Sequence, residues 1–542
     1  MATHSSLRLL MIGIDGADYR LTRYLMRCGQ LPHLEALSAA GAWGPAESTI
    51  PPVTPPAWTT IMTGKNPGKH GVFDFLPMAG ETWETPIASR RRAKTVWRAL
   101  SEQDLRVGTF NLPATYPPEP LSGFQVSGFD GPGFQHDLAT PPEAFDVLRA
   151  AVGDYEMFPS GLRGPHIDLP TLERYADIPV LGTRALLKAF ACDVYMVNFQ
   201  IIDWVHHVAL GAQMQPLKPD SLDPEGTVAQ AYRLVDERVG ALLDEWAGPE
   251  TVTMVLSDHG GTVADRVVNL ERLLLDNGLM AYTSLFGTWS RLRRLAPGLA
   301  RLAGPIAWRL RKTVAPEQPT VDVKIDYTRT RAVPWGQYAQ VRANVRGRDP
   351  EGIVPLDELH DVLSRVRELL SSVVDPITGE PVYAQVLRGR DIYRGPFIPD
   401  APDVIARPSS ERYLSVTARS GLGNLPAQAH DAIVTALDEP IGTHSSTGLL
   451  MMGGPMVREG STWQRTGLAD IVPTVLYMLG RPIPEDMDGR PILEAMDPTF
   501  VEANPPCGGP PWSPEGQDDG RSAYTDEERQ AVEERLRSLG YL

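Results

Sequence analysis

Apolar residues fall along this chain in two rhythms. Residues 9–14 form an unbroken run without a polar side chain, closed by the turn formers Asp15 and Gly16, and this predicts a buried parallel strand. Residues 191–202 form a second candidate buried strand ending at Asp203, and residues 251–256 a third apolar strand just before Asp258-His259-Gly260-Gly261. Between those two runs, residues 227–246 show helical periodicity, with Ala231, Leu234, Val235, Val239, Leu242 and Leu243 on one side. Residues 20–40 read as helical with breaks at Gly29 and Pro32, and residues 57–62 can start a helix after Thr54-Pro55-Pro56. A helix over 94–103, a strand over 105–110, a strand over 449–452 and a helix over 466–479 complete the pattern. Residues 64–75 and the Gly- and Pro-rich stretch 112–170 read as loops. Alternating strands and helices of this kind predict an α/β fold built on a doubly wound, mostly parallel sheet.

The composition shifts near residue 266. A short helix over 269–277, a strand over 337–345 and a helix over 356–373 suggest an inserted α+β cap over 266–430. The core would then comprise 1–265 and 431–500, followed by a linker and terminal helix over 501–542. Residues 281–316 contain no acidic side chain but carry Arg291, Arg293, Arg294, Arg301, Arg309, Arg311 and Lys312 among apolar residues. Such a segment suits a membrane surface or an acidic ligand, or is a cap helix with a solvated face.

Charge and cysteine usage narrow the class. The net charge of -16 over 542 residues argues against nonspecific nucleic-acid binding, but not against an anionic substrate, since bound metals reverse the local field. Cys28, Cys192 and Cys507 show no paired spacing, so neither a disulfide framework nor a thiolate zinc site is indicated. No apolar run is long enough for a signal segment or a bilayer span, and a cytoplasmic location is expected.

The chemistry gathers at strand ends. Asp15, Asp203, Asp258 and His259 each follow an apolar run, and the C-terminal strand ends of a doubly wound sheet converge on one edge. His207 lies four residues after Asp203, one helical turn away on the same face, and His444 sits in a Gly-flanked loop beside another strand. Taken singly, each residue could be a cap, a turn former or a core histidine. Together with the Thr54 hydroxyl, they make a nitrogen and oxygen ligand set for two divalent ions. Zinc fits best, with manganese or iron as alternatives. Thr54 itself is either an N-cap or a nucleophile at a helix start suited to anions. His206 points elsewhere and reads as structural, and His70, His136 and His166 lie in loops without an assigned role.

The ordered motifs IDGAD, TPPAWTTIMTG, DWVHH, SDHGG and GTH resemble the alkaline phosphatase superfamily, in particular its type I phosphodiesterase and nucleotide pyrophosphatase branch. GRDPEGIV, APDVI and the terminal LRSLGYL resemble a prokaryotic subgroup of predicted phosphohydrolases or phosphomutases. The resemblance implies an alkaline-phosphatase-like core in which Thr54 is the nucleophile. It implies that Asp15, Thr54, Asp258 and His259 hold one metal and Asp203, His207 and His444 the other. The implied reaction cleaves a phosphodiester or pyrophosphate bond through a phosphothreonine intermediate.

Two departures from the pattern matter. No asparagine follows Thr54 until Asn66, which leaves nucleotide specificity open, and a threonine nucleophile argues against sulfatase chemistry. Phosphomonoesterase or phosphomutase activity, phosphotransfer to an alcohol, and a non-catalytic metal-stabilised binding protein are the alternatives. The expected substrate is a small phosphate ester or diphosphate, with a lipid-linked or membrane-surface substrate in view because of the basic segment. Lys65, Lys69, Arg291 and Arg294 are candidates for contacting its anionic group. Oligomeric state is not legible.

Overall fold

The computed structural model describes residues 7–75, 86–159, 167–283, 325–336, 338–417, 432–512 and 524–538. Its strands begin, in chain order, with β1 (Leu9–Ile14), β2 (Ala42–Glu47), β3 (Val107–Leu112), β4 (Phe124–Ser127), β5 (Ala139–Thr140), β6 (Val194–Phe199), β7 (Val252–Leu256) and β8 (Gly260–Asn269). They continue with β9 (Ala332–Trp335), β10 (Gln340–Ala343), β11 (Tyr383–Arg388), β12 (Val404–Pro408), β13 (Tyr413–Val416), β14 (Val434–Ser445), β15 (Thr447–Gly453) and β16 (Ser461–Thr462).

Nine of these strands form one sheet in the order β16-β2-β15-β7-β1-β6-β3-β4-β5. β7, β1, β6, β3 and β4 are parallel neighbours, while β15 pairs antiparallel with both β7 and β2. β1 lies at the centre because every one of its six residues is buried, so it needs neighbours on both edges and cover on both faces. The register places Ile14 beside Phe199 and Gly13 beside Leu256, which brings the C-terminal ends of β1, β6 and β7 level. Everything that follows β1, β6 and β7 therefore starts at the same sheet edge.

Several expected elements are shorter or differently placed. β6 ends at Phe199, and Asp203 lies in the helix Ile201–Val205 that follows it, not at a strand terminus. The apolar run continues from strand into helix without a change in hydropathy, so pattern alone could not mark the switch. The stretch 112–170, expected as loops, contains the helix Pro142–Val152 and the first residues of Leu169–Ala189. Its prolines mislead because Pro142 and Pro170 occupy first-turn positions, where a missing N–H costs nothing. The helix Thr227–Trp246 matches its periodicity.

A second, antiparallel sheet, β11-β12-β10-β9, packs against the helix Leu359–Ser371 over its own apolar cluster, which includes Val341, Ala343, Val366, Leu370 and Val404. Both lie within the segment expected as an α+β cap. A smaller cluster of Phe73, Trp335, Tyr393, Ala401 and Ile405 joins this unit to the loop after the Thr54 helix. The basic stretch from Arg291 to Lys312 lies outside the described residues. Among the described residues, no helix is long and apolar enough to cross a membrane.

Candidate metal centre

The turn after β1 is tight. Gly16 has φ +75, and a Cβ there would stand 3.0 Å from the Cα of Asp203, so only glycine lets this turn meet the helix after β6. Asp18 then caps the helix Tyr19–Arg27 through the Arg20 and Leu21 amides. The same carboxylate accepts a 2.6 Å hydrogen bond from Ser445 Oγ, which ties the β14 turn beside His444 to the first turn of the chain.

Thr54 begins the helix Thr54–Thr63, with Pro55 and Pro56 in its first turn. Neither proline has an N–H, and the Ala57 amide is spent on the Val53 carbonyl at 3.1 Å. The first turn therefore offers an incoming anion few main-chain donors, fewer than the sequence reading implied. Trp58, one turn further on, donates its indole N–H to Asp15 Oδ2 at 2.9 Å.

Around Thr54 the strand-end residues converge. Thr54 Oγ1 is 3.2 Å from His259 Nε2, which in turn lies 3.2 Å from Asp258 Oδ2 and 3.8 Å from Asp15 Oδ1. Asp203 Oδ1 lies 3.4 Å from His207 Nε2 and 3.3 Å from His444 Nε2. The helix after β6 widens into a π-helical turn at His206–Leu210, and the Asp203–His207 pair spans that change. Single π turns of this kind recur at functional sites. The His259 and His444 rings stack with centroids 3.7 Å apart. All seven residues singled out in the sequence as nucleophile or ligands thus meet in one cluster. Asp203 belongs to two groups of convergent donor atoms, one with His207 and His444 and another with Asp15 and His259.

The hydrogen bonds orient the imidazoles. His444 Nδ1 lies 2.8 Å from the Pro52 carbonyl and His259 Nδ1 lies 3.1 Å from the Gly260 carbonyl. A carbonyl only accepts, so each ring carries its proton on Nδ1 and turns an Nε2 lone pair toward the carboxylates. Metal-binding histidines are oriented in this way.

The cluster is also electrostatically strained. Asp15, Thr54, Asp258 and His259 are 0% exposed. Burial, together with the Asp258 and Asp203 carboxylates, pushes the Asp15 carboxyl well above the usual carboxylate range. Asp258 is pushed up as well, by burial and by Asp203. Asp203 goes the other way: burial opposes its ionisation, but His207 and His444 hold it well below the normal value. His259 is held neutral by burial and by the neighbouring His444. Asp15 Oδ1 and Asp258 Oδ2 are buried and accept no hydrogen bond from the described residues. Buried carboxylate oxygens without donors, facing neutral imidazole lone pairs and no thiolate, fit divalent cations.

The remaining expectations are distributed elsewhere. Lys65 pairs with Asp486, while Lys69 reaches Asp488 Oδ1 at 2.7 Å and the Asp486 carbonyl at 2.8 Å. No hydrogen bond or ion pair links either lysine to the Thr54 cluster among the described residues. Arg291 and Arg294 lie outside the described residues. Asn66 caps the short helix Pro67–His70 and bonds to Asp488 and the Arg394 carbonyl. His70 is buried between Thr60 Oγ1 and the Val72 amide, and His206 packs on Tyr232. His136 faces Asp146 at 3.5 Å, and His166 lies outside the described residues.

Sequence reasoning missed Trp58, Asp18 and Ser445. Trp58 was findable, since a residue four after Thr54 shares its helix face. Asp18 and Ser445 are 427 residues apart and meet only through the fold.

Residues 9–445 match the family described as type I phosphodiesterase / nucleotide pyrophosphatase. Comparison with curated proteins gives no match. Among solved structures, the phosphonoacetate hydrolase of Sinorhizobium meliloti 1021 in complex with phosphonoformate aligns with a TM-score of 0.49 at 15% identity, over 86% of this chain and 95% of that one. Murine ectonucleotide pyrophosphatase / phosphodiesterase 5 aligns with a TM-score of 0.49 at 11% identity, over 90% of this chain and 100% of that one. An inactive variant of that murine protein in complex with AMP aligns with a TM-score of 0.49 at 12% identity, over 91% and 100%.

Proposed function

The chain belongs to the type I phosphodiesterase / nucleotide pyrophosphatase family, and from that premise we propose that it cleaves a phosphodiester or pyrophosphate bond through a phosphothreonine intermediate on Thr54. It is a hydrolase of a metal-dependent family whose substrates are small phosphoesters or pyrophosphates. The finer reading places two divalent cations, zinc first, in the cluster. Asp15, Thr54, Asp258 and His259 would hold one, and Asp203, His207 and His444 the other. The cations would supply Lewis acidity toward the phosphoryl oxygens and lower the pKa of the threonine hydroxyl.

One observation carries this reading: Thr54 Oγ1 stands 3.2 Å from an imidazole nitrogen that two buried carboxylates also approach. Thr54 is buried at the start of its helix, with its oxygen directed at His259. Trp58 holds Asp15 in place, and the Pro52 and Gly260 carbonyls hold the two imidazoles. Because the first turn offers few main-chain donors, the developing phosphoryl charge would fall to side chains and bound cations rather than to the helix. Attack by Thr54 Oγ1 at phosphorus expels the alcohol or phosphate leaving group. Water then releases the phosphoryl group from Thr54 and restores the hydroxyl.

The division into a core over 1–265 and 431–500, a cap over 266–430 and a terminal segment over 501–542 belongs to the same reading. It assigns substrate choice to the cap. The test is hydrolysis of bis-p-nitrophenyl phosphate by the full chain. Turnover should vanish in Thr54→Ala and on chelation, and return with zinc or manganese. Turnover that survives both treatments contradicts the assignment.

A further inference from the structure

The turn joining β9 to β10 belongs to the cap, yet it reaches the strand-end cluster of the core. Gln340 pairs with Trp335, so Gly336, Tyr338 and Ala339 lie in the turn between them. Its described residues all have positive φ: +59 at Gly336, 67 at Tyr338 and 54 at Ala339. Left-handed backbone is unfavourable for a non-glycine residue, so two such residues in succession persist only where their surroundings hold them. A tight hairpin explains part of this cost, because its turn residues favour positive φ. It does not explain why a tyrosine occupies the position.

Two contacts hold the turn from opposite sides. On one side is Asp74, from the loop after the Thr54 helix. Gln340 Nε2 donates to Asp74 Oδ2 at 2.8 Å, and a Cβ on Gly336 would stand 2.2 Å from that same oxygen. On the other side is β14. Tyr338 Oη lies 3.3 Å from Thr443 Oγ1, and its ring stacks on His444 with centroids 6.1 Å apart and planes 26° from parallel. Tyr338 is half-buried and packs against the apolar clusters of both the core and the β8–β13–β14 sheet.

We propose that Tyr338 is a positioning residue contributed by the cap: its ring braces the His444 imidazole and thereby sets cation affinity at the Asp203–His207–His444 position. This rests on the assignment of that trio as an ion site in the reading above. His444 is fixed in two respects by the core, through the Pro52 carbonyl at Nδ1 and the stacked His259 ring on one face. Tyr338 supplies a further restraint, and it couples this ligand to the cap. The cap therefore acts on the site by ordering a ligand as well as by shaping the space for substrate.

The test is cobalt(II) titration of the metal-freed full chain, following the visible absorption of each equivalent, alongside thermal unfolding without metal. The wild type should bind two equivalents. Tyr338→Leu should weaken one of them by about 10–100-fold and change its absorption band, leaving the other equivalent in place. Tyr338→Phe keeps the ring and should stay within about threefold of wild type, because the ring and not the hydroxyl braces the imidazole. Gly336→Ala, which forces the turn away from Asp74, should shift the same equivalent as Tyr338→Leu. Wild-type affinity at both positions in Tyr338→Leu and Gly336→Ala would overturn the inference alone. Equal weakening of both equivalents, together with a lower metal-free melting temperature, would reduce Tyr338 to a structural residue and also overturn it. A wild-type chain that binds no second equivalent removes the ion site itself, and the failure then lies with the underlying reading.

Discussion

The Nε2 atoms of His207 and His444 face each other across 3.0 Å, with Asp203 Oδ1 within 3.4 Å of both. Since the Nδ1 proton of His444 is engaged by the Pro52 carbonyl, its Nε2 brings a lone pair to this meeting point. A cation shared by the three atoms would satisfy them together. His444→Ala should therefore lower the bound metal from two ions per chain to one and reduce diesterase activity by at least about 100-fold. Elemental analysis of the dialysed variant checks this; two retained ions would contradict it.

Trp58 and Asp15 are both fully buried, and the indole N–H is 2.9 Å from the carboxylate. Trp58→Phe keeps most of the volume and removes the donor. It should weaken metal binding about tenfold, through a less ordered Asp15, while costing about 1–3 kcal/mol of stability. Calorimetric titration with zinc separates the two effects. A variant that loses stability but keeps wild-type zinc affinity would show that the bond only serves folding.

His70 makes the pH dependence of folding testable away from the metal cluster. Burial, with Arg91 and Lys65 nearby, pushes its imidazole down to about 3 from an ordinary 6.5. Between those values the unfolded chain binds the extra proton and the folded chain does not, so folding is fully supported above pH 6.5 and loses support as pH falls. The loss amounts to about 4 kcal/mol once pH reaches 3. Urea unfolding of wild type and His70→Gln between pH 7 and 4 should show a shallower acid slope in the variant. Equal slopes would mean that another group controls this limb.

The cap motifs fasten to one another. Arg348, of GRDPEGIV, donates from Nη1 and Nη2 to the two oxygens of Asp403, of APDVI, at 2.9 and 2.8 Å. Asp403 also accepts the Ala343 amide at 2.8 Å, and Asp349 accepts Arg342 Nε at 2.9 Å. Arg348→Met should cost about 2 kcal/mol of stability without changing turnover per folded molecule. A loss of turnover at unchanged melting temperature would place Arg348 in substrate binding instead.

How far the sequence revealed this molecule depends on the range over which each feature is determined. Runs such as 9–14 and 252–256 are buried on both faces, so their composition alone announced central strands, and the residues following them could be placed at one edge. The convergence of these residues was legible for that reason. Asp203 was placed near the site correctly but in the wrong element, because an apolar strand passes into an apolar helix at Gln200. Lys65 and Lys69 looked available because their partners, Asp486 and Asp488, lie more than 400 residues away in the chain. Tyr338 carried no signal at all: its role depends on how a cap hairpin meets a core strand, and no local pattern encodes that.

The central claim is that Thr54 Oγ1 attacks phosphorus. The most direct measurement is mass spectrometry of peptides from the metal-loaded chain, acid-quenched during turnover of bis-p-nitrophenyl phosphate. A p-nitrophenyl phosphoryl group is expected on the peptide containing Thr54, absent from the chelated protein and from Thr54→Ala. Steady turnover with no modified Thr54 peptide at any quench time, or with the group carried by another residue, would contradict it.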